Sequence, residues 1–211
     1  MVIKTLDDFD FKNKLVILRT DINSDVVNGK IFLNERIIES TKTIRELIKK
    51  KARVVVIGHQ GNKGKDDFIG FKQHSKLLNK FVKIKFVDSV FGEKVDDAIK
   101  KLKFGEAILL ENLRFLDEET DISIKPNRIV ELGKKFDIYV NDAFSVCHRE
   151  HSSMVLLPKV IENRAAGRIL EKEIKALEKI SIDNCLYLLG GAKPEENIKL
   201  LKGKKVLAGG L

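Results

Sequence analysis

The stretch "LVILRTDIN", Leu15 to Asn23, decides the fold. Its opening run, "LVIL", is apolar on both faces, the mark of a strand in a parallel sheet covered by helices. Arg19, Asp21 and Asn23 follow at the end of that run. In open α/β sheets ligands gather beyond the carboxyl ends of the strands, so these three residues are candidates for a site.

Similar runs recur outward along the chain: "VVVI" from Val54, "IKF" from Ile84, "AILL" from Ala107, "IYV" from Ile138, "LYLL" from Leu186 and "VLAG" from Val206. Amphipathic segments between them predict helices over Glu35–Lys50, Phe71–Phe81, Glu93–Lys101, Pro126–Lys135 and Arg164–Lys179. Pro126 suits a first helical turn, where a missing N–H costs nothing. "VNGK", Val27–Lys30, reads as a tight turn between short extended pieces. The expected fold class is α/β, a doubly wound three-layer parallel sheet, with no internal repeat and no low-complexity segment.

The 211 residues carry a formal net charge of +9, from 40 Lys and Arg against 31 Asp and Glu. An anionic partner follows from that balance, its size left open. Many lysines sit in runs such as "LIKKKAR" beside apolar residues at helical spacing and belong to solvated helix faces. Cys147 and Cys185 form no framework, which indicates a reducing compartment. No signal peptide and no apolar run near the ~20 residues of a membrane span is present, so a cytoplasmic location is expected.

Other strand ends repeat the polar pattern of the first. His59 follows "VVVI"; Glu111, Asn112 and Arg114 follow "AILL"; Asn141, His148, Arg149 and His151 follow "IYV". The fold would bring these four ends to one rim, and so much like charge held together without an anion would be unfavourable. The segment "NDAFSVCHREHSSM", Asn141–Met154, admits three chemistries. Cys147 and His148 are adjacent, where side chains diverge, which disfavours a thiolate with its base. Zinc wants four ligands, and Cys147, His148 and His151 supply three. An anion nest fits better, because Arg149 offers a planar fork and the histidines add donors. No Walker loop G-x-x-x-x-G-K-S/T occurs, and "GHQGNKG" has neither the glycine spacing nor the immediate helix of a dinucleotide fingerprint.

Taken in order, "LRTDIN", "ERI", "GHQG", "LLENLRF", "NDAF", "HREHSS", "AGRILEKEI" and "GGAK" resemble the phosphoglycerate kinase family over essentially the whole chain. The resemblance implies a Rossmann-like N-terminal domain for 3-phosphoglycerate at 1–165, an interdomain helix at 166–183, and the start of an incomplete nucleotide-binding α/β domain at 184–211. It implies phosphoryl transfer between ATP and 3-phosphoglycerate, with Mg-ATP or Mg-ADP as the nucleotide of the complete enzyme. Carried over residue by residue, the triose site is Arg19, Asp21, Asn23, Arg36, His59, Arg114 and Arg149, with His148 in support. Arg36 matches the arginine that bridges the transferring group and the substrate carboxylate. Lys193 matches the lysine that meets that group from the nucleotide side, beside Gly190 and Gly191.

Three positions depart from the family's pattern. Asn62 stands where an arginine is common, Ser145 where glycine is frequent, and Asn197 where a second lysine usually follows "GGAK". Lys63 and Lys65 are the candidates to replace the missing arginine. The expected behaviour is therefore a chain that binds 3-phosphoglycerate without turning it over, from an enzyme that is monomeric when complete. Two apolar strands and one helix in 184–211 leave sheet edges unpaired, so self-association through that segment is expected. A non-catalytic 3-phosphoglycerate-binding module is the alternative. Nucleic acid is disfavoured, because the basic residues are dispersed and no aromatic-interleaved basic motif occurs.

Overall fold

Parallel strands dominate the computed structural model, which describes residues 3–180, 185–189, 203 and 205–209. The strands are β1 (Leu15–Thr20), β2 (Val26–Val27), β3 (Lys30–Ile31), β4 (Arg53–Ile57), β5 (Lys85–Phe86), β6 (Glu106–Leu109), β7 (Ile138–Asp142), β8 (Asn163–Ala166), β9 (Leu186–Leu189) and β10 (Lys205–Ala208). The helices are α1 (Glu35–Lys49), α2 (Lys72–Leu78), α3 (Glu93–Lys101), α4 (Asp117–Thr120), α5 (Arg128–Gly133), α6 (Ser152–Val155), α7 (Leu157–Val160) and α8 (Arg168–Leu177). The chain divides into two compact units, Met1–Glu173 and Ile174–Leu211.

In the first unit six parallel strands run in the order β5-β6-β4-β1-β7-β8. β1 lies near the middle because every one of its residues is buried. Its side chains alternate between two separate cores. Val16 and Leu18 join Val54, Val56 and Val140 under Ile37, Ile44 and Leu47 of α1. Leu15 and Ile17 join Val55, Ile57 and Tyr139 against Val95 and Ile99 of α3 and Ile129 and Leu132 of α5. Helices on both faces make the sheet doubly wound. Each fully buried Ile or Leu contributes roughly 1.5–3 kcal/mol, so the two cores far outweigh any single surface contact.

Local chemistry sets the element boundaries. Asn34 caps α1, its Oδ1 accepting from Ile37 N at 3.0 Å, with Glu35 in the first turn and Lys49 in the last, as the helix dipole favours. Pro126 lies outside α5 and not in its first turn. Asn127 is the cap instead, accepting from both Ile129 N and Val130 N at 3.1 Å, which satisfies two free donors that a proline start would leave open. The segment expected as one helix from Arg164 is a strand followed by a helix. Ala165 and Ala166 pair with Val140 and Asn141 at the sheet edge, and α8 begins only after Gly167. The predicted helix at Phe71–Phe81 shortens to α2.

The "VNGK" turn joins the antiparallel pair β2 and β3, with positive φ at Asn28 and Gly29 as a tight hairpin requires. In the second unit, β9 and β10 pair in parallel, and Leu188 is 75% exposed. Gly190, Gly191, Lys193 and Asn197 lie outside the described residues. Among the described residues no helix is long and apolar enough to cross a membrane.

Candidate functional site

Because β6, β4, β1 and β7 are neighbours in the sheet, their carboxyl ends form one continuous rim. β1 brings Arg19, which is fully buried. Its Nη2 meets His59 Nδ1 at 2.9 Å, its Nε donates to Ser153 Oγ at 3.0 Å, and its Nη1 donates to the Thr20 carbonyl. The loop after β4 carries His59 and is pinned from two sides. Asn23 Oδ1 accepts from Gly61 N at 2.9 Å, and Asn112 exchanges hydrogen bonds with the backbone of Gln60 at 3.0 and 2.8 Å. Gly61 has φ +64°, and a Cβ there would lie 2.1 Å from the Asp67 carbonyl, so only glycine serves this turn.

Arg114 comes from the turn after β6. Its Nη1 donates to the Gly61 carbonyl and to Asn62 Oδ1, the latter at 2.8 Å, so Asn62 anchors an arginine. Lys63 points elsewhere, to Asp117 at 2.6 Å on the surface. Arg149 and His148 follow β7 and are exposed. Arg149 has no carboxylate partner among the described residues. Burial, then Arg149 and Arg19, depress the Arg114 pKa from its ordinary value.

The histidines respond to the same field. His59 is held far below the usual imidazole range by burial first, then by Arg19 and Arg114. Burial, Arg114 and Arg19 push His151 down to about 4, and its ring lies 6.3 Å from that of His59. Both are therefore neutral at pH 7. The charge of the rim belongs to the arginines.

Asp21 and Arg36 occupy a different setting from this cluster. Arg36 Nη1 donates to Asp21 Oδ2 at 3.1 Å, and Ser145 Oγ donates to the same carboxylate. They line a cavity of about 560 Å³ with Asp142 and Arg168. Two residues on the arginine side are not singled out in the sequence: Glu119, and Ser153 at the end of "HREHSS". Glu119 follows two other acids in "LDEET", a run that reads as solvated, yet it is fully buried and accepts from Ser153 Oγ at 2.7 Å.

Cys147 is a free thiol whose Sγ donates to the Ala143 carbonyl at 3.5 Å, and burial raises its pKa, the reverse of what a thiolate nucleophile needs. Among the described residues no three His, Cys, Asp or Glu side chains are placed to hold a metal ion.

A doubly wound parallel domain with arginines and histidines gathered at four adjacent strand ends is the class that fold and site define. The sequence matches the family model for phosphoglycerate kinase over residues 6–209, and the chain belongs to the phosphoglycerate kinase family. It is 41% identical over 229 aligned positions to a phosphoglycerate kinase of Sulfurisphaera tokodaii, covering 99% of this chain and 55% of that protein. Against the phosphoglycerate kinase of Methanopyrus kandleri the figures are 38%, 99% and 55%. The crystal structure of the Pyrococcus horikoshii OT3 phosphoglycerate kinase superposes with a TM-score of 0.87 at 35% identity, over 98% of this chain and 55% of that one. The chain thus spans about half the length of the relatives it matches.

Proposed function

We propose that this chain binds 3-phosphoglycerate at the arginine rim and serves the transfer of a phosphoryl group between ATP and that acid. The observation that carries the reading is the convergence of Arg19, Arg114 and Arg149 from the ends of β1, β6 and β7, with His59 from the end of β4 held against Arg19. A phosphate plus a carboxylate bears about three negative charges at pH 7 and complements such a rim. The attacking carboxylate, with an ordinary pKa near 4, is already ionised, so no general base is needed. That fits a site in which burial and the arginines depress the basicity of His59 and His151 and burial raises the pKa of the Cys147 thiol. Phosphoryl transfer depends mainly on positioning and charge stabilisation, which arginine forks supply.

Arg36, held by Asp21, is the residue we assign to the transferring group. Mg-ATP or Mg-ADP belongs to this reading through Gly190, Gly191 and Lys193, which lie outside the described residues. Turnover is assigned to the full length of the relatives, and triose binding to this chain. Calorimetric titration with 3-phosphoglycerate at low and at high salt tests the site: one-to-one binding that weakens as salt rises is expected. Absence of binding at low salt would remove the reading. A coupled assay giving kinase rates from this chain alone would overturn the division of labour.

A further inference from the structure

We infer that Glu119 and Ser153 act through Arg19 to fix the tautomer of His59, so that His59 presents a neutral Nε2–H donor to the anion; both are positioning residues. The role toward the anion rests on the triose-binding reading above, whereas the relay itself is a property of the free protein.

The direction of each hydrogen bond follows from the donors available. A guanidinium can only donate, so in the 2.9 Å contact between Arg19 Nη2 and His59 Nδ1 the imidazole nitrogen must accept. The ring proton of neutral His59 then resides on Nε2, which has no hydrogen-bond partner among the described residues. Arg19 Nε–H donates to Ser153 Oγ at 3.0 Å, which leaves the hydroxyl proton of Ser153 for Glu119 Oε1 at 2.7 Å. The backbone N–H of Ser153 donates to the other oxygen, Oε2, at 3.0 Å. Both Glu119 oxygens are placed as acceptors; burial raises the pKa of this carboxyl, against Arg19 and the two Ser153 bonds, which lower it. The chain of donors runs in one sense, from His59 Nδ1 back through Arg19 and Ser153 to Glu119.

Burial makes the arrangement specific. Arg19 and Glu119 are both fully buried, and Ser153 between them is too, so no water-exposed rotamer competes with these bonds. A second proton on His59 would have to displace the guanidinium from Nδ1 and add a cation beside Arg114 and Arg149. Burial and these arginines hold the imidazole far below its ordinary pKa, consistent with the geometry. His151 Nδ1 stands 3.8 Å from Glu119 Oε1, beyond hydrogen-bond length, so the carboxylate serves Ser153 and not that ring.

The test reads the tautomer directly. Side-chain nitrogen NMR of the free protein is expected to show His59 protonated on Nε2 alone, without titration from pH 5 to 8. In Ser153→Ala the link to Glu119 is cut, and His59 should show a mixture of tautomers and begin to titrate. Ser153→Thr, which keeps the hydroxyl, should restore the wild-type pattern. Affinity for 3-phosphoglycerate should fall about tenfold in the alanine variant. Should that variant fail to fold, Glu119→Gln, which keeps the size but replaces one acceptor by a donor, is expected to disturb the His59 pattern in the same way. A wild-type His59 protonated on Nδ1, or a folded Ser153→Ala or Glu119→Gln protein with an unchanged His59 pattern, overturns the relay. Failure of the wild type to bind 3-phosphoglycerate with the tautomer pattern as expected removes the triose reading alone.

Discussion

The carboxylate of Asp142 occupies the space where a side chain at position 167 would begin: a Cβ built on Gly167 would lie 2.3 Å from Asp142 Oδ1. That oxygen accepts from Ile169 N at 2.8 Å and Leu170 N at 3.3 Å, and so closes the start of α8 from the end of β7. Gly167→Ala should push the carboxylate off these donors and cost roughly 1–3 kcal/mol. Urea denaturation measures it, and a change below about 0.5 kcal/mol, the scatter of neutral surface substitutions, would show that the contact relaxes freely.

Arg149 is exposed and unpaired with any carboxylate among the described residues, so removing it should leave the fold intact. Arg149→Ala is expected to weaken 3-phosphoglycerate binding by about 1.5–3 kcal/mol, the loss of one charge-assisted contact. Arg36→Ala should weaken it too, while freeing the Asp21 carboxylate to repel the ligand. Calorimetry on both variants with unchanged melting temperatures is the check, and wild-type affinity in either would strip that residue of its assignment.

His74 offers a pH-dependent prediction away from the rim. It is fully buried, its Nε2 lies 3.0 Å from Gln60 Oε1, and burial pushes its pKa down to about 4 from an ordinary 6.5. Its folded pKa is the lower one. Between pH 6.5 and 4 the unfolded chain therefore binds the extra proton, and stability falls as pH falls; above pH 6.5 the effect is absent. His74→Gln should reduce the acid loss by an amount on the order of 3 kcal/mol at pH 4. Comparing wild type with variant across pH isolates this group from Glu119 and Asp142, whose pKa values are raised. Equal acid slopes for the two proteins would contradict it.

Arg168 forks onto Glu46 at 2.8 and 2.6 Å and onto Asp7 at 2.9 and 2.6 Å, with Glu171 at 2.7 Å. It ties α8 to α1 and to the chain's start. Lysine keeps the charge but not the fork, so Arg168→Lys should still cost about 1 kcal/mol. The loss should shrink in 1 M salt, because Asp7 is largely exposed and screened. Identical urea midpoints at low salt would refute a role for the fork.

The fold was legible from "LVIL" and its repeats, because a strand buried on both faces must be apolar throughout, and that demand is written residue by residue. The α8 boundary was not. "NRAA" has no apolar run to announce β8; it is extended because β7 offers an unpaired edge and small side chains pack there, which only the assembled sheet provides. Pro126 misled in the same way, since the donors of α5 went to Asn127.

At the site, the sequence by itself determined which strand ends carry Arg19, His59, Arg114 and Arg149, and with the parallel fold this was enough to expect one rim. Residue type also dictated that charge would come from guanidinium groups, which stay protonated wherever they are buried. Tertiary structure alone decided that His59 and His151 are neutral, that Asn62 anchors Arg114, and that Glu119, from a run of acids that reads as solvated, lies buried behind Arg19. The reason is physical: a protonation state or a hydrogen-bond direction depends on burial and on neighbours brought from distant elements, and Glu119 and Ser153, 34 residues apart, become partners only when the sheet is built.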